Sequence, residues 1–331
     1  MSPSLSVVMP VLDEAPHLQP TVHALVEAVA RSGLDAELVL VDDGSTDGSA
    51  EVVREALADR LPLVVLAQPN RGRFEARRAG LEAARGEWVL LLDARVRLRP
   101  GALAYARDRL AAGEMVWNGH VHIDARGNPY GAFWNVLVQV AWRRYFGDPR
   151  PTSYGADDFD HYPKGTSCFL APRELLVSAV QAFAPRISDR RLVSDDTHLI
   201  RSIAVRQRIH LSPEFACDYQ PRTDLRAFLA NCVYRGSTFV DGHGRRESRF
   251  FPVVVAFFPA SAALALATLR RPAVAPALLA LGGLGAGAAA AGLGRKGEEV
   301  GAVAALTPLF AVAYGLGMWR GLLRLALDRA A

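Results

Sequence analysis

Val39-Leu40-Val41-Asp42-Asp43-Gly44-Ser45-Thr46-Asp47-Gly48-Ser49 decides how this chain is read. An apolar run with β character stops at two carboxylates, and a turn rich in Gly, Ser and Asp follows it into a helical pattern. Acids and backbone donors are thereby presented together at the C-terminal end of a strand, the edge at which open α/β sheets take their ligands. Taken alone, the stretch also fits an ordinary turn with Asp47 as a helix cap.

The same pattern repeats on both sides. Ser6 to Val11 reads as a strand rather than as the apolar region of a signal peptide, because it is short, ends at Pro10 and Asp13-Glu14, and lacks a basic leader. A helix follows from about His17, with Leu18, Val22, Leu25, Val26 and Val29 on one face. Next come a strand over Glu37 to Val41, a helix over Asp47 to Ala58, a strand over Leu63 to Ala67, a helix over Arg73 to Ala84, and a strand over Glu87 to Leu92 ending at Asp93. Strands alternating with helices imply right-handed crossovers and a mostly parallel sheet with helices on both faces. Three of these strand ends carry acids, at Asp13-Glu14, Asp42-Asp43 and Asp93, which points to a site.

With 331 residues the chain is long for one ordinary domain. The division falls near residue 247, giving a polar part over 1–247 and an apolar part over 248–331. The apolar part holds charge-free windows at about 250–269, 272–294 and 300–319, each long enough to cross a bilayer. The Gly- and Ala-rich middle window also fits an incomplete span, so two or three crossings remain open. Arg245, Arg246 and Arg249 form a basic cluster immediately before the first window, as on a cytoplasmic side. The net charge of +4 and the lack of basic runs interleaved with aromatics give no reason to expect nucleic acid as a partner. Cys168, Cys217 and Cys232 match neither a disulfide framework nor metal spacing and read as buried fillers in a reducing cytosol.

Four motifs in order resemble family 2 glycosyltransferases of the GT-A fold: Val7 to Glu14, Val41 to Asp47, Asn70-Arg71-Gly72 leading to Ala76-Arg77-Arg78-Ala79-Gly80, and Leu92-Asp93-Ala94. The likeness covers roughly residues 5 to 240. It implies a nucleotide-sugar-binding α/β domain followed by C-terminal transmembrane helices. It also implies that Pro10 and Val11 line the nucleotide pocket, that Glu14 faces the sugar nucleotide, and that Asp43 hydrogen-bonds the base, a uracil. Arg77 would approach the nucleotide or its phosphates, whereas Arg73 and Arg78 read as a solvated helix face.

Where the family carries Asp-x-Asp on a divalent cation, this chain reads Asp93-Ala94-Arg95. Two readings stand: Asp93 still helps to hold Mg2+ or Mn2+, or Arg95 supplies the positive charge directly. Ser194-Asp195-Asp196 resembles the family's Glu-Asp motif. By that likeness Asp196 is the catalytic base, Asp195 stands beside it in the substrate site, and mutual repulsion should raise one pKa. Arg235, in an amphipathic stretch over Asp224 to Val240, would close on the diphosphate. His120 and His122 share one face of a strand over Met115 to Ile123, as a half-exposed strand or a metal pair. An aromatic-rich helix over Gly131 to Phe146 fits core packing or an acceptor-facing surface, and Gly155 to Gly165 fits a surface loop or a mobile lid.

The expectation is an inverting glycosyltransferase of the inner membrane, its catalytic domain cytoplasmic, with a nucleotide-sugar donor and a lipid-linked or envelope glycan acceptor. Two other classes are weighed against it. A sugar-nucleotide-forming nucleotidyltransferase should carry a glycine-rich basic loop near the N-terminus, which Val7 to Glu14 lacks. A non-catalytic nucleotide-sugar-binding membrane protein would account for the altered Asp93-Ala94-Arg95.

Overall fold

The computed structural model describes residues 5–183, 195–246 and 248–330. Its first half alternates β1 (Leu5–Val11), α1 (Ala15–Ser32), β2 (Ala36–Asp42), α2 (Ser49–Leu57), β3 (Leu63–Ala67), α3 (Arg73–Ala83) and β4 (Trp88–Leu92). Then follow β5 (Val96–Leu98), α4 (Ala102–Ala111), β6 (Trp117–Ile123), α5 (Pro129–Ala141), α6 (Arg143–Phe146), β7 (Thr152–Tyr154), β8 (Cys168–Pro172), α7 (Arg173–Gln181), α8 (Asp195–Ala204) and β9 (Ile209–Tyr219). Helices α9 (Leu225–His243), α10 (Phe251–Arg270), α11 (Val274–Gly292) and α12 (Gly297–Ala330) close the sequence. Ser194 of the predicted acidic motif lies outside the described residues, as does the side chain of Asp195.

Among the described residues nine strands form one sheet in the order β3-β2-β1-β4-β8-β6-β9-β5, with β7 beside β9. β1, β2, β3 and β4 run parallel, as the alternation predicts, while β8 returns antiparallel to β4 with Leu92 opposite Cys168. The pleat sorts each central strand between two cores. Val7 and Met9 of β1 pack with Leu18, Leu25 and Leu103 on one face, and Val8 packs with Phe74, Leu81 and Ile200 on the other. Strand β4 is buried along its whole length, which explains its unbroken apolar run.

Two elements differ from expectation. The predicted helix over 131–146 is two helices. It starts earlier because the Asn128 side chain accepts from the amides of Tyr130 and Gly131 and Pro129 takes the first turn, and α5 stops at Trp142. The strand expected over 208–211 runs on to Tyr219, because its first residues pair with β7 and its last with β5, carrying it past Pro213. The loop over 155–165 is folded in rather than lid-like. Phe159, Asp160 and Tyr162 are buried, and Tyr162 stacks on Tyr154 with ring centroids 5.3 Å apart. All three cysteines are buried.

The chain divides into two compact units. One holds residues 5–122, 144–183 and 195–220, and the other holds 123–143 and 221–330. In the second, α5 and α9 join the C-terminal helices, although composition alone divides the chain near 247. Phe133 of α5 packs against Phe228 of α9 at 5.6 Å and against Phe310 of α12 at 5.2 Å, so the aromatic richness of α5 serves this core. Helices α9 and α12 meet at small residues, where a Cβ at Gly236 would lie 2.2 Å from the Tyr314 carbonyl oxygen. Among the described residues, three helices are long and apolar enough to cross a membrane: Phe251–Arg270, Val274–Gly292 and Gly297–Asp328. At 1.5 Å per residue, the 34 residues of α12 measure about 51 Å, more than a hydrocarbon core needs.

Candidate active site

The loops after β1 and β2 are laced together at the C-terminal edge of the sheet. The Asp13 carboxylate accepts from the Thr46 amide at 2.8 Å, and Asp13 itself takes a left-handed backbone with φ 52°. Asp47 accepts from the Ala15 amide at 2.9 Å and from the Ser49 hydroxyl at 2.6 Å. Asp47 therefore ties one loop to the start of the neighbouring helix, whereas the cap position of α2 is Gly48. Pro10 is half-buried and Val11 buried where this double loop begins.

Asp43 is 4% exposed and holds the loop between β3 and α3. Its carboxylate accepts from Gln68 Nε2 at 2.6 Å, from the Arg71 amide at 2.8 Å and from the Gly72 amide at 2.9 Å. A carboxylate offers about four acceptor positions, so these bonds leave little for a further donor. Gly44, at φ +92°, fits this loop because a Cβ there would lie 3.0 Å from the Asn70 amide.

The loop held by Asp43 opens α3, and one turn into that helix stands Arg77, 2% exposed. Its guanidinium joins two acids that lie far apart in sequence. One nitrogen donates to Asp93 at 3.0 Å and another to Asp196 at 2.7 Å. Asp93 ends β4 and Asp196 sits in the first turn of α8. The Asp196 carboxylate also accepts a short hydrogen bond from the Thr166 hydroxyl, and both bonds fall on Oδ1. Arg78, by contrast, pairs with Glu75 and Glu82 at the surface, as a solvated helix face should.

Burial would push the Asp196 carboxyl upward, but the charges of Arg77 and Arg73 and the hydrogen bonds from Thr166 and Arg77 outweigh it and hold the group at about 2. Of the adjacent acids expected to repel, Asp196 is lowered rather than raised, and the Asp195 side chain lies outside the described residues. The guanidinium between Asp93 and Asp196 cancels their repulsion.

Arg95 is fixed two residues beyond Asp93. The Ala94 carbonyl accepts from the Thr21 hydroxyl at 2.8 Å, and the Arg95 carbonyl accepts from the Gln220 amide at 3.0 Å. Its Nε donates to Glu14 Oε1 at 3.0 Å and lies 2.8 Å from Oε2, with the two side chains 12% and 15% exposed. The Asp93-Ala94-Arg95 turn is thus clamped from α1 on one side and from the end of β9 on the other.

Not every predicted residue joins this cluster. Arg235 belongs to the second unit, where its guanidinium lies 4.7 Å above the Trp134 ring. His120 and His122 lie edge to face at 4.3 Å, and His120 Nδ1 is 2.6 Å from the Tyr145 hydroxyl. Burial, with the charges of His122 and Arg99, pushes His120 down to about 4, so a neutral ring packed in the sheet is what the strand presents. Sequence reasoning missed two partners, Thr166 on Asp196 and Gln68 on Asp43; neither belongs to a motif.

The metal reading was tested on the donors present. Among the described residues no group of three His, Cys, Asp or Glu side chains is placed to hold a metal ion. Asp93 Oδ1 and Asp196 Oδ1 already face Arg77, and the position of the second family acid carries a guanidinium. On a diphosphate Mg2+ is held by one or two carboxylates, with the phosphates and water completing its shell, and among the described residues Asp93 and Asp196 each face the Arg77 guanidinium.

A family model described as "Glycosyl transferase family 2" matches residues 6–169. The chain carries a family 2 glycosyltransferase domain. It contains β1 to β4, Arg77, Asp93, Arg95 and Thr166, and ends just inside β8. An undecaprenyl-phosphate 4-deoxy-4-formamido-L-arabinose transferase from Pseudomonas paraeruginosa is 36% identical over 147 residues, 43% of this chain and 42% of that protein. The succinoglycan biosynthesis protein ExoO of Rhizobium meliloti is 38% identical over 96 residues, 29% of this chain and 27% of that protein. This chain therefore spans well under half the length of the curated relatives it matches. Among solved structures, the mannosyltransferase PcManGT from Pyrobaculum calidifontis in complex with GDP-Man and Mn2+ aligns with a TM-score of 0.52 at 22% identity, covering 100% of this chain and 88% of that one. TarS 1–349 of S. aureus in complex with UDP aligns with a TM-score of 0.51 at 18% identity, covering 72% and 66%. These likenesses bear out the GT-A fold.

Proposed function

We propose that this chain is an inverting, membrane-anchored glycosyltransferase that moves a sugar from a uridine-diphosphate donor to a lipid-linked or cell-envelope acceptor. The observation that carries the reading is the meeting of Asp93 and Asp196 on one guanidinium at the C-terminal edge of the sheet of a family 2 domain. In this reading residues 1–247 form the cytosolic catalytic part and 248–331 the anchor in the inner membrane.

Asp196 is the general base. Held near 2, its carboxyl is ionised at neutral pH and can accept the proton of an acceptor hydroxyl. With the bonds from Arg77 and Thr166 both on Oδ1, Oδ2 is the oxygen available to the acceptor. The acceptor oxygen bonds to the anomeric carbon as the bond from that carbon to the diphosphate breaks, and the nucleoside diphosphate leaves with the electron pair. A weakly basic carboxylate suits this step, because the hydroxyl becomes strongly acidic only as its bond to the anomeric carbon forms. An acceptor phosphate, already ionised, would need Asp196 only for positioning.

On the donor side, Pro10, Val11 and Glu14 border the nucleotide. Asp43 shapes the loop that meets the base and gives its remaining acceptor position to the base N–H. The anchor keeps the site beside a substrate confined to the bilayer. The name of the Pseudomonas relative, an undecaprenyl-phosphate 4-deoxy-4-formamido-L-arabinose transferase, supports a lipid-linked acceptor.

The test is nucleoside diphosphate release by the detergent-solubilised full chain, with a panel of nucleotide sugars and undecaprenyl phosphate or a membrane lipid extract. Acceptor-dependent release from at least one donor is expected. Binding of no nucleotide sugar in the panel would end the proposal.

A further inference from the structure

Among the described residues, the three acids nearest the Asp93-Ala94-Arg95 turn each have a guanidinium beside them. Asp93, Asp196 and Glu14 supply three negative charges. Arg77 bridges the first two, Arg95 pairs with Glu14 at 2.8 Å, and Arg73 adds its charge to Asp196. A divalent cation on a diphosphate still needs one or two carboxylates turned toward it, the phosphates and water supplying the rest of its shell. Here each carboxylate faces a guanidinium. A dication on Asp93 would sit within a few ångströms of Arg77, which is 2% exposed and pinned at both ends.

The position where a second acid would complete a metal site is instead the best-anchored guanidinium in the loop. Backbone hydrogen bonds from Thr21 and Gln220 hold residues 94 and 95, Ala94 is 3% exposed, and Glu14 takes Nε. Holding Nε fixes the plane of the guanidinium. A planar, permanently charged fork of this kind matches the bidentate geometry of a phosphate.

We infer that Arg95 binds the donor's diphosphate in place of a divalent cation, so that donor binding and transfer here need no metal. The inference rests on the nucleotide-sugar reading above. As the leaving group departs, its added negative charge is met by the Arg95 guanidinium, and no proton moves to or from that side chain.

Calorimetric titration of the full chain in detergent with UDP, GDP and CDP tests it, in EDTA and in Mn2+, beside electron paramagnetic resonance of the free Mn2+ signal. Binding of the preferred nucleotide is expected to agree within about threefold between EDTA and Mn2+, with no more Mn2+ withdrawn from solution by protein and nucleotide together than by the nucleotide alone. Arg95→Ala is expected to weaken that binding about tenfold or more, and Arg95→Lys, which keeps the charge but loses the fork, by less. Arg95→Asp, which restores two acids around Ala94, should make binding Mn2+-dependent. Unchanged near-UV circular dichroism confirms that each variant folds. Nucleotide binding by the wild type that requires Mn2+, or binding that survives Arg95→Ala unchanged, overturns the inference while leaving the glycosyltransferase reading intact. Binding of no nucleotide in either buffer defeats both.

Discussion

Replacing Arg77 by methionine keeps most of the buried length of the side chain and deletes its charge. Asp93 and Asp196 would then face each other without the guanidinium that now reaches both, at 3.0 and 2.7 Å. Removing one partner of a fully buried ion pair costs about 3–5 kcal/mol. The acids are 23% and 37% exposed, so water screens part of that strain and the expected loss is about 2–3 kcal/mol. For a unit of this size that corresponds to roughly 5–10 °C in melting temperature. The loss should also depend on pH. In the wild type the folded Asp196 pKa of about 2 lies below its ordinary value of 3.8, so its stabilisation is present above about pH 4 and fades as pH falls toward 2. In Arg77→Met the two carboxylates repel, one pKa rises, and the penalty lifts as that group takes up a proton. The gap between variant and wild type should therefore be widest at pH 7.5 and narrower at pH 4.5. Near-UV circular dichroism follows it, because Trp88 and Trp117 are buried in the same unit. A variant melting within about 2 °C of the wild type at pH 7.5, or a gap unchanged at pH 4.5, would refute the idea that Arg77 neutralises this pair.

Asp43→Ala should strand the Gln68 side chain and the amides of Arg71 and Gly72, costing about 2–3 kcal/mol in denaturant titration and weakening nucleotide binding through the loop that opens α3. His120, held near 4, stays neutral on folding while its unfolded counterpart charges below about 6.5, so wild-type stability should decline as pH falls from 6.5 to 4. His120→Gln should flatten that decline in melts across this range; an unchanged slope would contradict the assignment. In the second unit, Gly236→Ala forces a Cβ toward the Tyr314 carbonyl oxygen and should destabilise the packing of α9 on α12 by about 1–3 kcal/mol, read as faster proteolysis between residues 243 and 251.

The strands and their acidic ends were legible because each signal is local: an unbroken apolar run bounded by an acid fixes β2 or β4 without knowledge of the rest. The site's working contacts were not legible, because they join residues 16 and 119 positions apart through Arg77 and 30 apart through Thr166. No periodicity marks a threonine that precedes a strand as the partner of an acid on a later helix. Asp43 was readable as important, but its bonds to the backbone of Arg71 and Gly72 depend on a loop conformation that composition leaves open. β9 was read short because Pro213 and Glu214 look like a break, and only pairing to β7 and β5 carries the strand across them. The lowered pKa of Asp196 has the same origin, because the guanidinium that bonds to it comes from a residue 119 positions away.

The central claim is that Asp196 accepts a proton during glycosyl transfer to a hydroxyl acceptor, and Asp196→Asn tests it most directly because it keeps the shape and the hydrogen bond from Thr166 while abolishing the base. With donor and acceptor saturating, nucleoside diphosphate release should fall by about 10²–10⁴-fold while donor affinity changes by no more than a few-fold. Release at wild-type rate by the asparagine variant would contradict the assignment.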